Sequence, residues 1–123
     1  MALVADGMVQ GASVGDSEAW LVSDADDVVL TAGQSRKPLV GSRRCAAVAF
    51  GPVPMQGTLV LGSDALFKYC PRERLLGIVR SAELEAIPEL LLRAARLPSG
   101  RLQDDFAVLV CRDRSARKLR AGP

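Results

Sequence analysis

Three aspartates of this 123-residue chain stand at the ends of apolar stretches that predict β-strands: Asp16 after residues 9–14, Asp64 after residues 58–61, and Asp104 before residues 106–111. Aspartate is depleted from the middle of strands, whereas strand ends hold the backbone rigidly and close to solvent. Carboxylates from several strand ends can therefore converge on one point. Oxygen ligands of this kind suit hard cations such as Mg²⁺ or Mn²⁺.

The absence of histidine and the spacing of the cysteines limit which kinds of reactive site the chain can form. The chain contains no histidine, which excludes the commonest general acid or base, histidine-dependent triads and most zinc sites. Its three cysteines, Cys45, Cys70 and Cys111, are widely spaced. An odd, unpatterned set argues against a disulfide framework and favours a reducing compartment, so we expect a cytoplasmic protein.

Composition indicates an ordinary domain with an aliphatic core. The chain is 49% hydrophobic but only 4% aromatic, and its net charge is +2. This charge does not single out nucleic acid as a partner. No apolar run approaches the roughly 20 residues that a membrane span needs, and no signal peptide is evident. We therefore expect neither a nucleic-acid nor a membrane partner.

The elements that would position the aspartates are mostly strands. Strands are predicted over residues 2–5, 8–14, 18–23, 28–31, 46–50, 58–62 and 106–111. Asp6-Gly7 between two apolar runs is a strong hairpin signal. Residues 51–57 contain two prolines and predict a turn, and residues 32–45 predict a loop rich in glycine and basic side chains.

Helical spacing appears between the second and third aspartates. Helices are predicted over residues 72–80 and 87–97, with one further turn at 65–69. Pro88 fits the first turn of its helix, where its missing N–H costs nothing. The order of elements predicts an α+β domain over residues 1–111, followed by a basic, disordered tail over 112–123.

Three motifs in this order resemble the metal-dependent serine/threonine protein phosphatases of the PPM, or type 2C, family. Gly15-Asp16-Ser17-Glu18-Ala19-Trp20 is similar to the family's Gly-Asp-Ser-Arg-Ala-Tyr strand. Leu61-Gly62-Ser63-Asp64-Ala65-Leu66-Phe67 is similar to its Leu-x-Ser-Asp-Gly-Leu-Phe element. Asp104-Asp105-Phe106-Ala107-Val108 is similar to its closing strand. Order and spacing agree from about residue 2 to residue 111.

The resemblance implies an αββα sandwich around a binuclear Mn²⁺ or Mg²⁺ centre. In that family a metal-activated water hydrolyses phosphoserine or phosphothreonine, so the implied partner is a phosphorylated protein. Residue by residue, the resemblance assigns Asp64 and Asp104 as metal ligands and Asp16 to a third, weaker site. It assigns no catalytic side chain.

The chain also departs from the family. It resembles only the C-terminal half, with mostly antiparallel strands and two helices. Residues 4–8 carry an Asp-Gly pair but no following Gly-Gly-His, so they do not replace the family's N-terminal metal segment. Ala65 stands where the family has glycine. A severed half implies weak or absent activity alone, and a tendency to self-associate or bind a complementary half.

Two other interpretations remain open. The chain is alternatively a non-catalytic module that docks a phosphoprotein, a kinase or a complementary half. It is alternatively an unrelated α+β domain, in which Asp16 and Asp64 form turns or helix caps and Asp104-Asp105 is a solvated turn. Basic residues of the loop either steer a phosphorylated substrate or are simply solvated: Arg36, Lys37, Arg43 and Arg44.

Overall fold

The computed structural model describes residues 1–34, 41 and 43–113. These described residues form seven strands: β1 (Ala2–Ala5), β2 (Met8–Ser13), β3 (Glu18–Val22), β4 (Asp27–Val29), β5 (Val48–Pro54), β6 (Thr58–Gly62) and β7 (Val108–Arg112). Three α-helices and one 3₁₀ turn separate β6 from β7: α1 (Asp64–Tyr69), α2 (Arg72–Ser81), the turn Leu84–Ala86 and α3 (Ile87–Ala95). The predicted α+β class is confirmed.

The strands form two antiparallel sheets. A three-stranded sheet has the order β1-β2-β5, and a four-stranded sheet has the order β4-β3-β6-β7. The predicted hairpin joins β1 to β2, with Ala5 opposite Met8. Its turn residues Asp6 and Gly7 both have positive φ, 52° and 73°, as a two-residue hairpin of the Asp-Gly type requires.

The four-stranded sheet is buried on both faces. Leu21 and Leu59 point toward the three-stranded sheet and pack with Val9. Trp20 and Val60, one residue along in each strand, point to the opposite face and pack against the helices. Burial on both faces explains why β3 and β6 read as continuous apolar runs.

The helices cover one outer face of the sandwich. They pack against β3, β6 and β7. On the three-stranded sheet, Leu3 and Met8 alternate with the buried Val9 and are 55% and 36% exposed. Within the described ranges, no helix is long and apolar enough to cross a membrane.

Several predicted boundaries differ from those of the structure. Residues 51–54 continue β5 instead of forming a turn, because β5 is an edge strand, where proline removes no ladder hydrogen bond. The single helical turn predicted at 65–69 is a six-residue helix, so three helices stand where two helices and a turn were expected. The predicted tail began at Arg112, but Arg112 belongs to β7; residues 114–123 of that tail lie outside the described residues.

Arg112 joins the sheet to the helical layer. Its Nε donates to Thr58 Oγ1 at 2.8 Å, and its terminal nitrogen donates to the carbonyl of Val79, in the last turn of α2, at 3.2 Å. Because Thr58 is buried, its hydrogen bond with Arg112 lies inside the fold and not at the surface. The last residue of β7 is therefore fixed from two sides.

Candidate functional site

One row of residues marks an end of the four-stranded sheet. Glu18 of β3 pairs with Gly62 of β6, and Gly62 pairs in turn with Val108 of β7. The aspartates predicted as ligands lie two to four residues from this row along the chain: Asp16, Asp64 and Asp104. Chain connectivity and register therefore bring the three acidic segments to the same end of the sheet.

Ser63 ties two of these segments together. Its hydroxyl accepts a hydrogen bond from the N–H of Ala107 at 3.0 Å and donates to the carbonyl of Asp105 at 3.3 Å. Its own N–H donates to the carbonyl of Ala107 at 2.9 Å. The segment that carries Asp104 and Asp105 is thus anchored beside Asp64.

Sequence analysis assigned Ser63 no role of its own. Ser63 precedes α1, but its side chain makes no capping bond. The hydroxyl reaches across to residues more than forty positions later instead. The one signal in the sequence was a serine between a buried strand and an aspartate. That signal did not identify Asp105 and Ala107 as its hydrogen-bond partners.

Asp64 carries a buried oxygen without a partner. It is the first residue of α1, and its Oδ1 makes no hydrogen bond. A buried polar atom of this kind costs free energy unless a donor or cation satisfies it. The partial positive charge at a helix start favours a carboxylate. Because α1 has only six residues, this effect alone does not satisfy the Asp64 oxygen. The donor chemistry at Asp64 therefore fits a hard cation.

The other two aspartates are exposed. Asp104 Oδ1 accepts the N–H of Asp105 at 2.7 Å, which shapes a local turn. Asp16 lies in the bend between β2 and β3. Across residues 1–34, 41 and 43–113, no three His, Cys, Asp or Glu side chains are grouped closely enough to hold a metal ion.

An apolar groove opens beside the acidic end. It has a volume of about 740 Å³ and lies between the two sheets, with Phe50 from one sheet and Leu61 and Leu109 from the other. Ser63 lines it as well, so the groove reaches the segment that carries Asp64. A volume of this size is typical of a binding cleft.

The structure also describes Trp20 and part of the basic loop. Trp20 is buried and stacks on Phe67 with ring centroids 5.0 Å apart, so it is a core residue. Arg43 and Arg44 of the basic loop are exposed. The other two loop cations, Arg36 and Lys37, lie outside the described residues.

Two solved structures resemble this fold, both of a bacterial serine phosphatase with an arginine substitution. The glutamate-substituted protein matches with a TM-score of 0.76 and 22% identity, over 89% of this chain and 50% of its own. The alanine-substituted protein matches with a TM-score of 0.73 and 21% identity, over the same shares of the two chains. No protein-family model and no curated protein matches the sequence.

The chain therefore has a phosphatase-like fold, since similarity at these identities shows the fold alone. It spans about half the length of the phosphatase chains that it matches.

Proposed function

We propose that this chain is the C-terminal half of a PPM-type αββα phosphatase domain that acts on phosphoserine and phosphothreonine in cytoplasmic proteins. Asp64 and Asp104 would hold Mn²⁺ or Mg²⁺, and Asp16 would serve a third, weaker site. The observation that carries the proposal is the buried, unpartnered Oδ1 of Asp64, beside the segment that Ser63 anchors. The phosphatase-like fold supports it.

Each residue has a physical task in this proposal. Asp64 offers a desolvated carboxylate oxygen, which attracts a cation more strongly than an exposed one. Ser63 fixes the Asp104 segment relative to Asp64 and so limits the ordering that cation binding would otherwise require. Bound Mn²⁺ or Mg²⁺ supplies charge neutralisation of the phosphate and a lower pKa of the attacking water.

A second candidate is a non-catalytic module that docks a phosphoprotein or kinase. The observation that favours it is the absence, among described residues, of any group of three potential metal ligands. A hard cation takes about six oxygen ligands, so a partial set predicts weak binding. We accordingly propose that the isolated chain is weakly active or inactive.

Metal titration tests the proposal directly. Mn²⁺ binding would be measured by calorimetry and electron paramagnetic resonance for the wild type, D64N and D104N. We expect each variant to lose at least tenfold in affinity. Asp6→Asn is the matched control, because Asn-Gly also suits this hairpin turn and Asp6 lies at the opposite end of β2. Equal binding by wild type, D64N and D104N would refute the assignment.

A further inference from the structure

Two of the four edge strands of the sandwich are protected against pairing with another strand. Among the described strands, β1 and β5 are the edges of the smaller sheet, and β4 and β7 are the edges of the larger one. Charges, prolines and register shifts protect an edge. β4 has only three residues, and its Asp27 is ion-paired with Arg72 and Arg80. β5 contains Pro52 and Pro54, and its pairing with β2 shifts in register.

The edge of β7 has none of these protecting features. The strand is five residues long, contains no proline and pairs with β6 without a shift in register. Its one charged side chain belongs to Arg112, whose guanidinium bonds to Thr58 and to the carbonyl of Val79. Leu109 is 56% exposed, although it pairs with Leu61, which packs in the core between the sheets. An unprotected apolar edge of this kind invites another strand.

The ladder between β6 and β7 determines which backbone groups of β7 face outward. In an antiparallel ladder, residues that bond to the neighbouring strand alternate with residues whose N–H and C=O groups point the other way. The Ser63 N–H donates to the Ala107 carbonyl at 2.9 Å, so Leu109 and Cys111 bond to β6 as well. Three residues of β7 therefore direct their N–H and C=O groups to the open edge: Val108, Val110 and Arg112.

One register pairs all three outward residues with a second copy of the same strand. In antiparallel self-pairing centred on Val110, this residue lies opposite Val110 of the second copy, and Val108 lies opposite Arg112 of the second copy. Every outward residue then belongs to a hydrogen-bonded pair. A shift of the centre to either side leaves only two such pairs within β7. No like charges lie opposite each other in the centred register, which would be destabilising.

The same register covers the exposed side chain of Leu109. It places Leu109 opposite Cys111 of the second copy in a non-hydrogen-bonded pair, where Cα atoms approach to about 4.5 Å and side chains are close together. Cys111 packs against the core between the sheets, so this contact continues that core into the second copy. On the face that carries the helices, Val110 meets its own counterpart, and β-branched residues suit such cross-strand positions.

The edge of β1 offers less to a second copy. The Ala12 N–H donates to the Met1 carbonyl at 3.1 Å, so by the same alternation only Ala2 and Val4 direct backbone groups outward from β1. Self-pairing of β1 would therefore form at most two hydrogen-bonded pairs, where self-pairing of β7 forms three.

We propose that two copies of this chain pair through β7, antiparallel and centred on Val110. The two larger sheets then form one continuous sheet of order β4-β3-β6-β7-β7-β6-β3-β4, with a two-fold axis at its centre. The inference stands on strand order, on the direction of the backbone groups and on the exposure of Leu109. It goes beyond the proposed function and needs no metal.

Size exclusion with light scattering tests the dimer. The full chain would be measured at rising concentration in EDTA and a reducing agent, and we expect twice its mass of 13.1 kDa. Val110→Pro should weaken the dimer at least about tenfold, because proline removes an outward N–H and no bond to β6. Leu109→Lys puts a charge on the edge and covers the case in which the proline variant fails to fold. A wild type that stays monomeric would overturn the proposal.

Val4→Pro is the matched control. It also replaces an edge valine whose N–H points outward, but on β1. We expect this variant to dimerise as the wild type does. A dimer that Val4→Pro dissociates and that Val110→Pro leaves intact would refute pairing through β7.

Cysteine cross-linking tests the register. In a Cys45→Ser background, Leu109→Cys should give a covalent dimer on mild oxidation, because it places a thiol opposite Cys111 of the second copy within reach of a disulfide. Adding Cys111→Ser should abolish this product. Covalent dimers that persist without Cys111, or that form in the Cys45→Ser protein alone, would contradict the register centred on Val110.

Asp64→Asn separates this proposal from the proposed function. Dimers of this variant in EDTA, combined with equal Mn²⁺ binding by wild type and variant, would support the β7 interface and refute the metal site. Mn²⁺ binding that Asp64→Asn removes from a wild type that stays monomeric would do the reverse.

Discussion

The hydroxyl oxygen of Ser63 lies 3.0 Å from the backbone nitrogen of Ala107 and accepts its hydrogen bond. The two residues are more than forty positions apart in sequence, and both lie at the end of the four-stranded sheet where the acidic segments meet. One side chain thereby sets the position of the segment that carries Asp104 and Asp105 relative to the start of α1.

Replacement of Ser63 by alanine should affect both stability and metal binding. Loss of two hydrogen bonds should lower the free energy of unfolding by about 1–2 kcal/mol. Mn²⁺ affinity should fall several-fold, because the Asp104 segment loses its anchor. Urea unfolding and calorimetric titration measure the two effects.

The control for that variant is Ser81→Ala, whose hydroxyl donates to the Gly77 carbonyl at 2.6 Å in the exposed end of α2. We expect this change to cost under about 0.5 kcal/mol and to leave Mn²⁺ binding unchanged. If Ser63→Ala behaved like Ser81→Ala, Ser63 would have no positioning role.

Asp64→Asn should affect the melting temperature differently with and without metal, because one carboxylate oxygen of Asp64 is buried without a partner. In metal-free protein the melting temperature should stay the same or rise, because a desolvated charge with an unpartnered oxygen is removed. The rise in melting temperature that Mn²⁺ gives the wild type should disappear. Thermal unfolding of the wild type and the variant, once in Mn²⁺ and once in EDTA, measures both effects. A metal-free variant that melts well below the wild type would indicate a structural role for the charge.

Hydrolysis of a small aryl phosphate by the isolated chain should be very weak or absent with Mn²⁺. Among the described residues, no three His, Cys, Asp or Glu side chains are grouped closely enough to hold a metal ion, and the whole chain lacks histidine. A continuous absorbance assay of the released phenolate is sufficient. Robust turnover that Asp64→Ala abolishes would show that the chain is a complete enzyme by itself.

Stability should fall at alkaline pH through Cys70. Burial raises the pKa of the Cys70 thiol above its ordinary value of 9.0, and the nearby Arg74 guanidinium partly offsets the rise. Between the ordinary and the raised pKa, the unfolded chain has lost a proton that the native thiol keeps. The free energy of unfolding therefore decreases as pH rises through this window and is fully retained below it.

Urea unfolding at a series of pH values from neutral to alkaline measures this decrease. Cys70→Ala should lack the part of the pH dependence that arises from Cys70, while the other titrating groups act equally in both proteins. Identical pH profiles of wild type and variant would show that Cys70 does not titrate differently on folding.

Local signals predicted most of the sheet. Asp6-Gly7 fixed the first hairpin because both turn positions need positive φ, and the structure places them at 52° and 73°. The buried runs of β3 and β6 were recognisable from length and β-branched or apolar content. Residues 51–54 were misread because a proline excludes a central strand but not an edge strand, and edge position is a property of the whole sheet.

The sequence predicted that the acidic segments share one end of the sheet, but it did not predict the contacts that join them there. Aspartates at strand ends pointed to one end of the sheet, and the register of Glu18, Gly62 and Val108 brings their segments there. The anchoring role of Ser63 depends on Asp105 and Ala107, which approach only after α1, α2 and α3 return the chain to β7. No local pattern carries that information.

The contacts of Arg112 couple layers that would otherwise open separately. Because one guanidinium holds Thr58 of β6 and the last turn of α2, release of α2 must also free the end of β7. The helix, β6 and β7 should therefore exchange their amide protons as one cooperative unit, whereas the β1–β2 hairpin, with its exposed Leu3 and Met8, can open at lower free energy. Local unfolding should therefore begin in the three-stranded sheet, while the layer that carries Asp64 stays folded.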